Sequence, residues 1–230
     1  MPVPKCLSVP KCLSPSAFRI LLMTNTYDLE NWQKRFAERA DLCTFLTHLT
    51  KDGFVNGKAA SAMDVLIEIL RAKKLVGGTG YVVGTTTAVC FQESPPLALA
   101  QNLYFEDKGG VPVSQKARYT GLGVMFSKIL VYQAGGRPVV YEETGKAKNM
   151  LPSDEHWRIV KLDYSNLSEI VDWTHEREWR VPREYEFDLK DVTVVLLRDA
   201  YREFVERVQA LEPNFLSEIA GIVTLNPILV

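Results

Sequence analysis

The apolar positions of this chain switch between a helical and a strand period, and each switch marks an element. After Asp28, Leu29, Trp32 and Phe36 recur among charged residues, which predicts an amphipathic helix to about Ala40. "CTFLTHLT", residues 43 to 50, reads as a buried strand. Met63, Leu66, Ile67 and Leu70 then recur at helical spacing behind Ser61, with Asp64 placed to close a capping box, and that helix ends by Gly77-Gly78. "TAVCFQES" is a strand stopped by Pro95-Pro96, after which Leu97, Leu99 and Leu103 begin a short helix. "GLGVMF" predicts a strand, "SKILVYQ" a short helix closed by Gly135-Gly136, and "RPVVYEE", "HWRIVKLDY", "THEREWRVP" and "VTVVLLR" four more strands. Asp199 is placed to cap a helix carrying Tyr201, Phe204, Val205, Val208 and Leu211, and "IAGIVTLNPILV" supplies a last strand. Few helices among many short strands point to an α+β fold with a mixed, largely antiparallel sheet, against a regular βαβ repeat.

The first residues stand outside this pattern. "VPKCLS" occurs twice in tandem before Pro15, too short and Pro-rich to bury a face, so residues 1–20 read as a flexible leader and residues 21–230 as a single domain. With 230 residues, 47% of them apolar, a sizeable core is available. The 27 basic and 28 acidic residues leave a net charge of -1, so no global field draws the chain to nucleic acid or membrane, and a nucleic-acid site would have to be local. Cys6, Cys12, Cys43 and Cys90 form no C-x-x-C pair and suggest neither a disulfide framework nor a zinc site. No apolar run reaches the roughly 18 residues of a membrane span, and a soluble, cytoplasmic protein is expected.

The chemistry has to come from weaker signals. No phosphate-binding G-x-x-x-x-G-K-[ST] loop, nucleophile elbow or H-E-x-x-H helix occurs, and "GGTGYVVG" follows a helix instead of opening one, so it reads as a loop. His48 lies in an apolar strand, either as a hydrogen-bonded core residue or as a functional one, and Thr47 and Thr50 add hydroxyls beside it. Arg118 and Tyr119 precede a glycine-rich strand where backbone can approach a ligand, and an arginine there is either a bidentate phosphate ligand or a surface residue. In "DWTHEREWRVPREY", residues 172 to 185, strand alternation puts Glu176, Glu178 and Arg180 on one face and His175, Arg177, Trp179 and Val181 on the other. That charged face is a solvated edge or the wall of a cleft, and the bulky anchors opposite it favour the cleft.

These residues resemble a family. "FLTHLTK", "LIEILRAKKL", "AVCFQESP", "RYTGLGVMFSKILVYQAGGRPVVY" and "HEREWRVP" follow the order seen in AbiGi-type abortive-infection proteins and in the related bacterial family called domain of unknown function 2971. The pattern is also similar to nucleic-acid-modifying ADP-ribosyltransferase toxins of the DarT kind. That resemblance implies an ADP-ribosyltransferase-like split sheet with flanking helices, NAD as substrate and no metal. It matches His48 to the first-strand residue, which would bind the adenosine ribose with Thr50 beside it. Glu178 or Glu176 matches the late catalytic glutamate; Glu178 is preferred because it adjoins Trp179, with Glu176 as acceptor-orienting group or general base. Tyr119, Phe91 and Ser94 compete for the middle-strand position, and Arg118 would hold the pyrophosphate.

The expected function is therefore an NAD-dependent ADP-ribosyltransferase serving as a toxin or phage-defence effector. Its acceptor would be protein, DNA or RNA, with Lys108, Lys116, Arg118 and Lys128 as the candidate basic patch, and a cognate antitoxin or chaperone is a possible partner. The alternatives are a non-catalytic, antitoxin-like binding module and a metal-dependent nuclease using Asp172, Glu176 and Glu178. The last lacks a clean E-x-K partner.

Overall fold

The structure, a computed structural model, describes residues 26–105 and 120–225, so the expected leader, and with it Cys6 and Cys12, lies outside the described residues. The chain divides into two compact units after Glu38. In the first, α1 (Leu29–Ala37) starts where the Asp28 carboxylate accepts the Asn31 amide at 2.8 Å, and the Trp32 and Phe36 rings meet at 4.8 Å. It ends three residues before the expected Ala40 and buries none of its side chains.

The second unit is mixed α+β. Its largely antiparallel, open sheet has seven strands in the order β13-β12-β6-β1-β5-β10-β7, flanked by helices. These are β1 (Phe45–Leu49), β5 (Ala88–Gln92), β6 (Gly123–Ser127), β7 (Arg137–Pro138), β10 (Glu178–Pro182), β12 (Thr193–Leu196) and β13 (Gly221–Thr224). Only β12 and β13 run parallel within it. Alternation gives each strand a side for each face. On the first face Leu46, Val89, Phe91, Val124, Phe126, Val181 and Val194 pack with Met63, Leu66, Ile67 and Leu70 of α2 (Ala62–Ala72) and with Phe204 and Val208 of α6 (Arg198–Leu211). On the second face Leu99 and Ala100 of α3 (Pro96–Phe105) pack with Met125, Val195 and Leu225.

The capping box forms as expected: Ser61 Oγ accepts the Asp64 amide at 3.2 Å while Asp64 accepts the Ser61 amide at 2.8 Å. α2 nevertheless stops at Ala72, because Lys73 turns left-handed, and Lys74–Val76 becomes β4, antiparallel to β11 (Glu184–Glu186). "RPVVYEE" is two strands. β7 pairs with β10, whereas β8 (Val140–Glu142) leaves the sheet to run parallel to β9 (Ile159–Lys161), the crossing pinned by the Val139 amide on the Glu178 carbonyl at 3.0 Å. The first three residues of "HWRIVKLDY" close a 3-10 turn, Ser153–Arg158. Asp199 lies in the first turn of α6 and does not cap it; the N-cap position falls on Leu197. A hairpin of β2 (Gly53–Val55) and β3 (Lys58–Ala60), α4 (Lys128–Gln133), α5 (Thr144–Met150) and α7 (Phe215–Glu218) complete the unit.

One glycine of the "GLGVMF" strand has a packing duty. A Cβ on Gly123 would collide with the His48 carbonyl, so it is the backbone of β1, and no ligand, that makes the close approach there. The Ser61→Ala variant should lose about 1 kcal/mol of stability in urea denaturation, the usual worth of a capping hydroxyl, with the denaturant dependence unchanged.

Candidate functional site

β10 begins later than the alternation of "THEREWRVP" requires, and the cause is Asp172. Its carboxylate accepts the Tyr164 hydroxyl at 2.6 Å and the amide and hydroxyl of Thr174 at 2.8 and 2.7 Å, which draws its pKa down to about 2. The Asp-Thr turn leads into a 3-10 turn, Thr174–Glu176, and Arg177 then takes a left-handed conformation with φ 44°. Such backbone costs a non-glycine residue about 1 kcal/mol and collects near functional sites. Glu176 therefore sits half-buried on the turn, outside the strand's alternation.

From Glu178 onward the alternation holds. Trp179 and Val181 face the first core, while Glu178 and Arg180 face the other way. Their side is closed, with Glu178 7% and Arg180 2% exposed. Arg180 Nε donates to Glu178 Oε1 at 2.7 Å and Nη2 to Oε2 at 3.4 Å. Nη1 donates to the carbonyls of Trp157 at 2.7 Å and Ile159 at 3.2 Å, and Nη2 also reaches the Tyr81 carbonyl at 3.3 Å. The guanidinium thus ties β10 to β9, to the preceding 3-10 turn and to the "GGTGYVVG" loop, where Tyr81 is left-handed and its side chain 86% exposed. A buried ion pair survives desolvation only with this kind of hydrogen-bond satisfaction.

Three further groups surround Glu178. Its amide donates to the Tyr141 hydroxyl at 2.7 Å, and burial pushes that phenol up to about 12. Burial first, then the Glu178 carboxylate, push the Cys90 thiol up to about 12, so Cys90 is no nucleophile. The charge of Glu176 reaches both groups, which puts it at the edge of the same cluster. Register aligns Thr47 with Gln92, and Gln92 with Glu178, in one row across β1, β5 and β10.

The sheet separates the first-strand candidate from this row. His48 lies on the first face, its ring edge-on to Phe91 at 5.9 Å. Its Nδ1 is 2.8 Å from the Cys90 carbonyl and so carries the proton; burial lowers its pKa. Phe91 is 1% exposed within an aromatic cluster, 6.3 Å from Phe126 and 5.7 Å from Tyr185. Thr50 donates its hydroxyl to the Leu122 carbonyl at 3.1 Å, beyond the far end of β1 from Ser94, which is itself buried past the end of β5. Arg118 and Tyr119 lie outside the described residues, as do Lys108 and Lys116. Lys128, the remaining member of the expected basic patch, is 8% exposed and bridges Glu93 at 2.6 Å, and Glu93 also accepts the Trp179 indole N–H at 3.0 Å. A surface phosphate would not find that ammonium. Among the described residues no three His, Cys, Asp or Glu side chains gather as a metal-ligand set.

Compared with protein-family models, with curated proteins and with solved structures, the chain matches none. Its site is therefore known by geometry alone, a buried carboxylate with its guanidinium beside a cross-strand polar row. Sequence reasoning passed over Gln92 and Tyr141. The available signal for Gln92 was a polar residue ending the otherwise apolar run "AVCFQ".

Removing one member of the buried pair should be costly: Arg180→Met is expected to lose about 3–5 kcal/mol in urea denaturation, and Glu178→Leu combined with Arg180→Met to recover most of it. For His48, a native pKa below the ordinary 6.5 means that the unfolded chain takes up a proton the native chain does not, so its contribution is present above that value and lost as the pH falls. His48→Gln should flatten the decline of melting temperature between pH 7 and about 5.

Proposed function

We propose that the chain is an NAD-dependent ADP-ribosyltransferase acting as a toxin or phage-defence effector, with Glu178 as the carboxylate that supports the reacting ribose. The observation that carries this reading is the row of Thr47, Gln92 and Glu178 on three adjacent strands, with half-buried Glu176 at its edge. A first strand, a middle strand and a late glutamate-bearing strand side by side in an open antiparallel sheet agree with the ADP-ribosyltransferase-like arrangement that the sequence resembles. The residues of the row also suit a ribose, because hydroxyl, amide and carboxylate oxygens accept hydrogen bonds from sugar hydroxyls.

Departure of nicotinamide leaves positive charge on the ribose, and a fixed carboxylate stabilises that charge. In this reading Arg180 and the Tyr141 hydroxyl hold Glu178 in one orientation, so no reorganisation is needed as charge develops. Glu176, two residues earlier and more accessible, orients the acceptor or takes its proton. The acceptor is a protein or a nucleic acid; of the proposed basic patch Lys128 is already engaged, so a nucleic-acid acceptor has to be held by other cations.

One observation favours a second reading. Both Glu178 oxygens already accept from Arg180, an arrangement equally suited to a non-catalytic binding module in which the pair is structural. Incubation of the purified protein with NAD, following nicotinamide release in the presence of cell extract, separates the two. Turnover is expected, with Glu178→Asp, which keeps a counter-charge for Arg180, losing at least about 100-fold and Glu176→Gln losing transfer to the acceptor more than nicotinamide release. Absence of release with any extract or nucleic acid would give the protein to the binding-module reading.

A further inference from the structure

Two side-chain polar atoms on the second face of the sheet are buried without a partner among the described residues. Among the described residues, Thr47 Oγ1 and Gln92 Oε1 find no hydrogen-bond partner, although Thr47 is 1% and Gln92 9% exposed. They are opposite one another in register, and Gln92 is in turn opposite Glu178. Side chains opposite each other in an antiparallel pair lie about 4.5–5.5 Å apart at Cβ, close enough for one small group to touch both. Buried polar atoms are almost always satisfied, and an orphaned one lowers stability. Two orphans in adjacent register positions, next to a buried charged pair, mark a place where something outside the chain completes the bonding.

We infer that Thr47 and Gln92 are ligand-binding residues, an acceptor pair that takes the hydroxyl hydrogens of a neutral sugar beside Glu178. Charge decides the class of ligand. The Glu178 carboxylate is compensated by Arg180 at 2.7 Å, and Thr47 and Gln92 are neutral, so the row itself carries no net charge, with the Glu176 carboxylate at its edge turning anions away. Geometry decides the chemistry: the amide oxygen and the carboxylate accept, the threonine hydroxyl both donates and accepts, and neighbouring sugar hydroxyls offer the matching set.

This inference rests on the proposed function and adds to it a direct contact for two residues of the row and a reason for them: stability is given up in the free protein so that the sugar, once bound, satisfies both atoms. The test replaces both groups by apolar ones of similar shape, Thr47→Val with Gln92→Leu, and measures melting temperature with and without ADP-ribose. The free double variant should melt higher than wild type by at least about 2–4 °C. Wild type should be stabilised by ADP-ribose, and the variant should need at least about tenfold more of it for the same stabilisation. A free variant that melts at or below the wild-type temperature overturns the inference, since the two atoms were then already satisfied. Equal binding of ADP-ribose by variant and wild type also overturns it while leaving the proposed function standing; no binding by wild type overturns the proposed function and the inference together. Should the double variant fail to fold, Thr47→Val alone carries the same comparison.

Discussion

The buried guanidinium of Arg180 is the constraint on which the surrounding architecture depends. A charge this deep is tolerated only if every donor finds an oxygen, and Arg180 finds them in four places: its own strand-mate Glu178, and the carbonyls of Trp157, Ile159 and Tyr81. Those carbonyls belong to three different segments, the 3-10 turn at Trp157, β9 at Ile159 and the loop at Tyr81. The ion pair fastens all three to β10, and strand alternation puts its two members on the same face. Local sequence, long-range loop placement and the orientation of a carboxylate thus meet in one side chain.

The two faces of the sheet divide the labour. One is apolar from β12 to β10 and packs Phe91 and Trp179 with α2 and α6, with the His48 ring edge-on to Phe91. The other is apolar only where α3 covers it and turns polar from Thr47 across Gln92 to Glu178 and Arg180. Polar groups therefore collect on the part of that face beyond the apolar cover of α3.

Much of the architecture was legible in the chain. The helix behind Ser61, the strand "AVCFQ" ended by two prolines, and the opposed faces of Glu178/Arg180 and Trp179/Val181 follow from spacing and local chemistry alone. Strand partners were not legible, because pairing residue 47 with 92 and 92 with 178 is a long-range choice that no local pattern encodes. The resemblance matches His48 to the first-strand position, whereas register sets Thr47 in the row with Gln92 and Glu178 and turns His48 to the other face. The left-handed Arg177 was hidden for a different reason: arginine has no preference for that conformation, and only the Asp172 turn ahead of it forces the bend. Arg180 was noticed as a charge on a face, but a sequence does not say whether such a face is wet, and here it is dry.

The narrow strand beside β10 carries one more consequence. β7 is two residues long, Arg137 and Pro138, and it stands at the rim of the seven-stranded sheet. Proline offers no N–H, and so short a rim gives another polypeptide almost no ladder to extend. The strand bearing Glu178 is thereby shielded from intermolecular pairing and from the aggregation that a longer, regular rim would invite, without a helix having to cover it.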